Sequence, residues 1–202
     1  MDVDSTLINE EVIDLLAIEA GVGDAVANLT DEAMKGNLDF AQSLSQRVAL
    51  LEGLQISALM NVQQKITLTK GAKQLFATLR DRSFSTALVS GGFSFFITPL
   101  VEALGIDHYL ANGLEIKDSK LTGKVTGPII DRKAKANFLK ELAISKGLDL
   151  SATIAVGDGA NDIEMIQSAG IGIAFCAKPA LEQVADVRIR ERDLSLILEY
   201  LA

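Results

Sequence analysis

Hydrophobic residues recur at helical spacing through an early segment of the chain. Val12, Leu15 and Leu16 lie on one face of a predicted helix that ends at Gly21. The same spacing continues through three further segments, "TDEAMKG", "LDFAQSLSQRVALLEG" and "QISALMNVQQKI". Because no strand-like alternation interrupts residues 11–62, the pattern predicts a small all-helical unit that directly follows the first residues of the chain.

The pattern changes at Lys70, where apolar strands begin to alternate with helices. The segments "SFSTALVS", "SATIAVGDG" and "IGIAFC" predict buried strands, and "GLEIKDSKLTGKVTG" predicts two short strands around a turn. Strands that alternate with helices predict an α/β fold with a doubly wound parallel sheet. We therefore divide the chain into a core of residues 1–10 and 70–202, with a hairpin near 113–127, and a helical unit of residues 11–69.

Three polar motifs follow the apolar strand patterns: "DVDST" at Asp2, "SGG" at Ser90 and "GDGAND" at Gly157. Lys135 lies on the predicted helix between the last two motifs. Since the carboxyl ends of parallel strands meet at one edge of a sheet, we expect the three motifs to converge there. Taken singly, each motif also fits an ordinary turn, because Asp and Gly are common turn residues. Their convergence is therefore what indicates a functional site.

The converging residues combine acidic groups with donors for an anion. Four carboxylates are expected at this edge: Asp2, Asp4, Asp158 and Asp162. Without a cation they would repel each other strongly. Oxygen ligands without histidine or cysteine favour Mg²⁺. Donors for an anion come from the Ser90 hydroxyl, the amides of Gly91 and Gly92, and Lys135. Together these groups predict a phosphoryl-transfer site.

The spacing of Asp2 and Asp4 has a chemical use in such a site. One carboxylate can attack phosphorus and form an acyl phosphate. The other can protonate the leaving oxygen and later activate water. The covalent intermediate divides one difficult step into two easier ones.

Composition excludes several other classes of protein. The single Cys176 and the single His108 rule out an internal disulfide and clusters of cysteine or histidine metal ligands. A net charge of −8 without a basic tract argues against nucleic acid as a partner. No apolar run reaches the roughly 18 residues of a membrane span. We therefore expect a cytoplasmic protein that acts on a small molecule, with a homodimer as one open arrangement.

The four motifs "DVDST", "SGGF", Lys135 and "GDGAND" resemble those of the haloacid dehalogenase superfamily. Within it, "DVDSTLINEEVIDLLA", "VSGGF" and "AVGDGANDIEMI" resemble the phosphoserine phosphatase family, and the similarity covers essentially the whole chain. The resemblance implies a Rossmann-like core with a helical cap inserted after the first strand motif. It also implies Mg²⁺-dependent hydrolysis of O-phospho-L-serine through an aspartyl-phosphate, the last step of serine biosynthesis.

The resemblance assigns roles to residues of the core. It implies that Asp2 is the nucleophile and Asp4 the general acid and base. It implies that Mg²⁺ is held by Asp2, the Asp4 backbone carbonyl and Asp158. It also implies that Asn161 and Asp162 orient the metal shell and the phosphate pocket. Finally, it implies that Ser90, Gly91 and Lys135 bind the phosphoryl group.

In the helical unit, the resemblance implies contacts with the serine part of the substrate. Glu11 would face its ammonium group and Arg47 its carboxylate, while Met34 and Phe40 would close the pocket. The planar guanidinium of Arg47 suits bidentate binding of a carboxylate. As single residues, Glu11 and Arg47 also fit surface charges, and Met34 and Phe40 also fit ordinary core positions.

Three alternatives remain open. The first is a related hydrolase or phosphotransferase that acts on another small phosphomonoester. The second is a protein of the same fold that binds a phosphorylated ligand without catalysis, although binding alone needs no nucleophile such as Asp2. The third is the phosphorylation domain of an ion pump, against which the absence of an apolar span argues.

The predicted first strand is unusually short. A parallel strand usually has about five residues, whereas only Met1 precedes Asp2. The resemblance implies an apolar strand in the middle of the sheet at this point. We therefore expect unpaired edges on the neighbouring strands, and an N-terminal ammonium group close enough to pair with Asp2.

Overall fold

The computed structural model describes residues 1–34 and 37–201, without the side chain of Met34. The segment predicted to be helical contains α1 (Val12–Glu19), α2 (Gly23–Met34), α3 (Phe40–Ala49) and α4 (Ile56–Lys65). Helix α1 packs against α4, and α2 packs against α3. These helices occupy the segment in which the hydrophobic spacing predicts them.

The boundary between the first two helices differs in part from the prediction. Helix α1 ends at Glu19, close to the predicted end at Gly21. Gly21 has a φ of 69°, which glycine adopts without strain because it has no Cβ. The segment "TDEAMKG" is predicted as a separate helix, but its residues 30–34 are the end of α2, which already begins at Gly23. Its last two residues lie outside the described part of the chain. No Ser, Thr, Asp or Asn precedes Gly23 as an N-cap, so the sequence carries no start signal there.

The rest of the chain alternates between strands and helices. The elements are α5 (Ala72–Asp81), β1 (Ala87–Phe93), α6 (Ser94–Leu104), β2 (His108–Lys117), β3 (Lys120–Thr126), α7 (Arg132–Ser145), β4 (Ile154–Gly157), α8 (Ile163–Ser168), β5 (Ile171–Phe175), α9 (Pro179–Glu182) and β6 (Val187–Ile189). Strand β1 is parallel to β2, and β5 is parallel to both β4 and β6. This arrangement confirms the predicted α/β class with parallel strands.

The first two residues lie between the two sets of parallel strands. Val89 donates its backbone N–H to the Met1 carbonyl at 3.0 Å, and Asp2 donates its own to Val156 at 2.9 Å. The expectation of unpaired strand edges is therefore wrong at these positions. The Met1 ammonium donates to the Ala87 carbonyl at 2.9 Å instead of pairing with Asp2. Burial lowers the pKa of this ammonium to about 6.

Strand β2 contributes to both parts of the molecule. It first runs parallel to β1 and then forms an antiparallel hairpin with β3. The hairpin is hydrogen-bonded to the segment between α3 and α4: Gly53 donates to Leu121 and Leu121 donates to Leu54, both at 2.9 Å. The hairpin assigned to the core is thus also attached to the helical unit.

The two connections between the helical unit and the core run side by side. Ile8 and Leu68 form an antiparallel bridge. Asn9 donates its backbone N–H to the Thr67 carbonyl at 3.1 Å. Paired connections of this kind fix where the helical unit leaves and re-enters the core.

One apolar cluster extends through both parts. It includes Leu44 and Leu59 from the helices and Leu88, Phe93 and Phe175 from the sheet, all no more than 2% exposed. Burial of large apolar side chains is the main favourable term in folding, so the two parts share a core. Among the described residues, no helix is long and apolar enough to cross a membrane.

Candidate active site

The carboxylate cluster, which we define as Asp2, Asp158 and Asp162, lies with Lys135 at the carboxyl ends of the central strands. One oxygen from each of the three carboxylates lies within 4.8 Å of the other two. The Lys135 ammonium contacts Asp2 Oδ2 and Asp162 Oδ1, both at 2.8 Å. The structure therefore brings together groups from the first and last predicted motifs and from the helix between them.

Lys135 is an unusually buried lysine, with 1% of its surface exposed. Helix α7 carries it, and Asp131 caps that helix by accepting from the Ala134 N–H at 2.8 Å. Burial alone would lower the pKa of Lys135, but Asp2 and Asp162 raise it above its ordinary value. The lysine is therefore held as a cation.

Asp162 is fully buried and organises the loop around it. Its Oδ1 accepts from Lys135 at 2.8 Å, and its Oδ2 accepts the backbone N–H groups of Asp158 and Gly159, each at 3.2 Å. Both oxygens are thus engaged with groups of the chain itself. This arrangement suits a residue that orients the site around it.

Thr6 is a site residue that the motif analysis did not single out. Its hydroxyl donates to Asp158 Oδ1 at 3.2 Å, and its side chain is fully buried. Thr69 in turn donates its hydroxyl to the Thr6 carbonyl at 2.8 Å. The threonine is the last residue of the "DVDST" motif, so its place in that motif, two residues after Asp4, was the available signal.

Asp4 lies between the core and the helical unit. Its Oδ2 accepts from the Ser90 hydroxyl at 3.1 Å, and its Oδ1 accepts from the Val12 backbone N–H at 2.9 Å. Val12 is the first residue of α1, whose free N–H groups suit a carboxylate. Burial and the charge of Glu11 raise the pKa of Asp4 to about 6. Asp4 therefore titrates close to neutral pH.

The two adjacent glycines of β1 allow close approach on both sides. A Cβ on Gly92 would lie 2.5 Å from Asp4 Oδ2, and one on Gly91 would lie 2.8 Å from the Phe40 ring. A larger residue at either position would therefore displace the Asp4 carboxylate or the Phe40 ring. Phe40 begins α3 directly after its N-cap Asp39, so the start of that helix lies against the glycine loop.

Two charged residues of the helical unit face the same region. The Glu11 side chain is exposed overall, but neighbouring groups partly shield its carboxylate from water. This partial desolvation raises the pKa of Glu11, while the Ser5 hydrogen bond lowers it. Arg47 is half-buried and donates its Nε to the Ser43 carbonyl at 3.3 Å. Burial lowers the pKa of Arg47, whereas Asp14 and Glu11 oppose that shift. Glu11 and Arg47 thus lie within electrostatic range of each other.

Ser5 is a second residue that the motif analysis did not single out. Its hydroxyl donates to Glu11 Oε1 at 2.6 Å. Its backbone has a φ of 55°, a left-handed conformation that non-glycine residues rarely adopt. Arg192 donates to the Ser5 carbonyl at 3.2 Å and lies 6.0 Å from the Phe175 ring centroid. This turn brings the Ser5 hydroxyl to Glu11, and no hydrophobic period in the sequence indicates such a turn.

The remaining predicted residues are placed as follows. Asn161 is half-buried in the turn before α8, next to Asp162. Met34 ends α2, and its side chain lies outside the described part of the chain. The predicted closure of a pocket by Met34 and Phe40 therefore rests here on Phe40 alone.

The cluster carries more negative charge than Lys135 balances. Burial raises the pKa of Asp2 well above its usual range, and the charge of Asp162 raises it further. Burial and Asp162 likewise raise the pKa of Asp158. Buried carboxylates with raised pKa values and oxygen-only ligands are the environment that a divalent cation stabilises. The residues present therefore fit a metal ion.

The comparisons with known proteins bear on this site. The family model of haloacid dehalogenase-like hydrolases matches residues 1–167. The chain belongs to this hydrolase family. A phosphoserine phosphatase of Streptococcus thermophilus is 53% identical over 100% of this chain and 94% of that protein. One of Methanocaldococcus jannaschii is 48% identical over 99% of this chain and 95% of that protein.

Solved structures agree with this membership. A phospho-aspartyl intermediate analogue of phosphoserine phosphatase has a TM-score of 0.93 at 47% identity. A substrate-bound phosphoserine phosphatase complex has a TM-score of 0.94 at 47% identity. Each covers 100% of this chain and 96% of the solved one. The resemblance drawn from the four motifs and the expected fold are both confirmed.

Proposed function

We propose that this chain hydrolyses O-phospho-L-serine to L-serine and phosphate through an aspartyl-phosphate on Asp2. The observation that carries the proposal is the surroundings of Asp2, whose Oδ2 contacts Lys135 at 2.8 Å and whose Oδ1 accepts the Val3 N–H at 2.7 Å. The relatives named above, which match along nearly their whole length, support the choice of substrate.

In the first step, an Asp2 carboxylate oxygen attacks phosphorus and the bond from phosphorus to the serine oxygen breaks. Asp4 gives its proton to that serine oxygen. In the second step, a water attacks the phosphorus, Asp4 takes the proton from the water, and the bond from phosphorus to Asp2 breaks. A pKa of about 6 lets Asp4 act in both directions near neutral pH.

The phosphoryl group lies between the lysine and the glycine loop in this proposal. Lys135, held as a buried cation, faces the oxygens whose charge changes during transfer. The Ser90 hydroxyl and the amides of Gly91 and Gly92 donate from the other side, with Asn161 at the rim. Lys135 is already fixed as a cation and stabilises charge without reorganisation. The Ser90 hydroxyl and the Gly92 N–H exchange their bonds to Asp4 and to Ser90 for bonds to the phosphoryl group.

The proposed substrate is a zwitterion, and the helical unit supplies one group for each of its charges. Glu11 faces the ammonium group and Arg47 the carboxylate. Phe40, which lies against Gly91, covers the phosphoryl site. The helical unit of residues 11–69 therefore acts as the cap that selects the substrate.

The carboxylate cluster fits a divalent cation, which we propose is Mg²⁺. Asp2, Asp158 and the Asp4 backbone carbonyl would hold it, with Asp162 orienting these groups. When bound, the ion supplies positive charge that offsets the carboxylates and the phosphoryl oxygens. The cytoplasmic location and the homodimer stay predictions.

A phosphate-release assay tests this function. Phosphoserine, phosphothreonine, phosphoethanolamine and a sugar phosphate are compared with Mg²⁺ and with a chelator in place of Mg²⁺. Phosphoserine should give the highest kcat/KM, and the chelator should abolish it. Preference for the sugar phosphate would favour another phosphomonoesterase, and binding of phosphoserine without release would favour the non-catalytic alternative.

A further inference from the structure

The ladder between β1 and β2 is interrupted where the glycine loop lies. Val89 is paired with Leu110, and the next pair joins Phe93 to Asn112. Three residues of β1, 90–92, therefore oppose a single residue of β2. Such a bulge deprives backbone groups of their strand partners, and buried groups need substitutes.

The side chain of Asn112 supplies the substitute. Its Nδ2 donates to the Gly91 carbonyl at 2.8 Å. Its Oδ1 accepts the Ile130 backbone N–H at 2.9 Å. The side chain is fully buried, and a reversed amide would place donor against donor and acceptor against acceptor. Its orientation is therefore fixed.

Holding the Gly91 carbonyl also fixes the N–H of the next residue. The carbonyl of Gly91 and the N–H of Gly92 belong to one peptide plane, and in a trans peptide they point in opposite directions. The chain contains no cis peptide bond among its described residues. Gly92 accordingly donates to the Ser90 hydroxyl at 2.8 Å, and Ser90 donates to Asp4 at 3.1 Å.

The other end of Asn112 reaches the segment that leads to the lysine. Ile130 precedes Asp131, the N-cap of α7, and Asp131 accepts the Lys135 backbone N–H at 3.0 Å. Lys135 follows one turn into that helix. A single buried amide thus joins the glycine loop to the helix that carries the buried cation.

We propose that Asn112 is a positioning residue for phosphoryl transfer, which sets the Gly91–Gly92 peptide and its distance from Lys135. The proposal rests on the proposed function, because it assigns the glycine loop to the phosphoryl group. A misplacement of donors by about 1 Å can cost on the order of 100-fold in rate. Asn112 acts through these groups and does not itself face the carboxylate cluster.

Two variants separate the two ends of the side chain. Asn112→Ala removes both hydrogen bonds. Asn112→Asp keeps an acceptor for Ile130 but places an oxygen against the Gly91 carbonyl. The matched control is Thr86→Val, which removes the two hydrogen bonds of a buried hydroxyl at the opposite end of β1. Thr86 Oγ1 donates to Asp107 at 3.0 Å and accepts the Asp107 N–H at 3.2 Å.

We expect both Asn112 variants to lower kcat by roughly 10- to 100-fold on phosphoserine and on p-nitrophenyl phosphate, with less than about a threefold change in KM. Thr86→Val should leave both constants within about twofold, although it lowers the free energy of unfolding. If the Ala variant does not fold, the isosteric Asp variant decides. A kcat within twofold of the wild type in the Asp variant, or an equal loss in Thr86→Val, would overturn the proposal.

A second readout does not depend on activity. Gly91–Gly92 is the only pair of adjacent glycines in the sequence. Protein labelled with glycine that carries ¹³C at the carbonyl and ¹⁵N at the amide therefore gives one carbonyl–amide correlation from this peptide. We expect that signal to move in both Asn112 variants and to stay in Thr86→Val. If the signal does not move in the Asn112 variants, the positioning role of Asn112 is refuted. If the wild-type chain is inactive on phosphoserine, only the proposed function is refuted.

Discussion

The carboxylate cluster and one group of residues in the helical unit are built in opposite ways. We call this group the arm and define it as Glu11, Phe40 and Arg47. Asp2, Asp162 and Lys135 are at most 3% exposed and are held by contacts of 2.8 Å. In the arm, Glu11 is exposed and Phe40 and Arg47 are half-buried. The cluster is therefore preorganised, while the arm keeps freedom to adjust to a ligand.

This difference separates chemistry from selection. Under the proposed function, groups in the cluster face atoms whose charge changes during phosphoryl transfer, so their loss should lower kcat. Groups in the arm would face parts of the substrate that stay the same, so their loss should raise KM. Each variant below tests one side of this division.

The largest effect is expected for Asp2→Asn. The amide keeps the shape of the side chain but is no nucleophile, so turnover should fall by at least roughly 10⁴-fold while phosphate binding partly survives. Phosphate release measures turnover, and calorimetry with phosphate and Mg²⁺ measures phosphate binding. Asp149→Asn, which changes an exposed cap at the other side of β4, is the control. Fast hydrolysis by Asp2→Asn, with deamidation excluded by mass spectrometry, would refute the nucleophile.

Lys135→Ala should produce the next largest effect. Loss of the cation should lower kcat by roughly 10²- to 10³-fold on phosphoserine and phosphoethanolamine alike. It also removes the cation that Asp2 and Asp162 share, which in chelator should cost about 3 kcal/mol of unfolding free energy. Lys140→Ala, an exposed lysine on the same helix, should change neither quantity. A loss confined to phosphoserine would place Lys135 in substrate selection instead.

The sequence predicted the cluster better than its supports. Asp158 follows β4 as predicted, whereas Ser90 lies within β1 and only Met1 precedes Asp2. The rule that strand ends converge still predicted that these residues lie at one edge of the sheet. Thr6 and Asn112 were not found, because each acts through a turn or a bulge that has no period in the sequence. The start of α2 was predicted too late, at "TDEAMKG", because no capping residue precedes Gly23.

The pairing of Met1 with Val89 was also not predicted. The usual length of a parallel strand led to an expectation of open edges on both sides of Asp2. Two backbone hydrogen bonds, at 3.0 and 2.9 Å, instead join these first residues to β1 and β4. Strand length is a statistical tendency, and the hydrogen-bonding groups on either side decide whether a single residue pairs.

Arg47→Ala tests the arm. Removing a charge-assisted contact with the serine carboxylate should cost roughly 1.5–3 kcal/mol, which raises KM for phosphoserine by about 10- to 100-fold with little change in kcat. Phosphoethanolamine lacks the carboxylate, so its KM should stay the same. Gln46→Ala, an exposed neighbour on α3, is the control. Equal damage on both substrates would remove Arg47 from carboxylate recognition.

Asp4 connects the two regions, and its titration can be followed without activity. Its folded pKa of about 6 lies above the ordinary 3.8, so the folded state binds the proton more tightly. In chelator, the free energy of unfolding should therefore fall as pH rises from about 4 to 6. Above pH 6 the wild type should have lost about 1–3 kcal/mol through this titration, and Asp4→Asn should not show that loss.

Asp149 provides a control of opposite sign for this titration. Its pKa is lowered by the Ser151 N–H, so Asp149→Asn should instead lose stability above the ordinary Asp pKa. Urea unfolding at several pH values gives the free energy of unfolding against pH for the wild type, Asp4→Asn and Asp149→Asn. Parallel profiles for Asp4→Asn and the wild type would mean that Asp4 is not perturbed in the folded chain.

The smallest effect is expected for Ser5→Gly. The variant removes the hydroxyl that donates to Glu11 at 2.6 Å, and glycine accepts the φ of 55° without strain. Because Glu11 is exposed, the lost bond should be worth about 0.5–1.5 kcal/mol, or about a 2- to 10-fold rise in KM for phosphoserine. A phosphate ester without an ammonium group, such as phosphoglycolate, should keep its KM. Ser83→Gly, at a φ of 58° outside the site, supplies the matched control. If KM rose equally for the ester without nitrogen, Ser5 would support the Asp4 turn and not the position of Glu11.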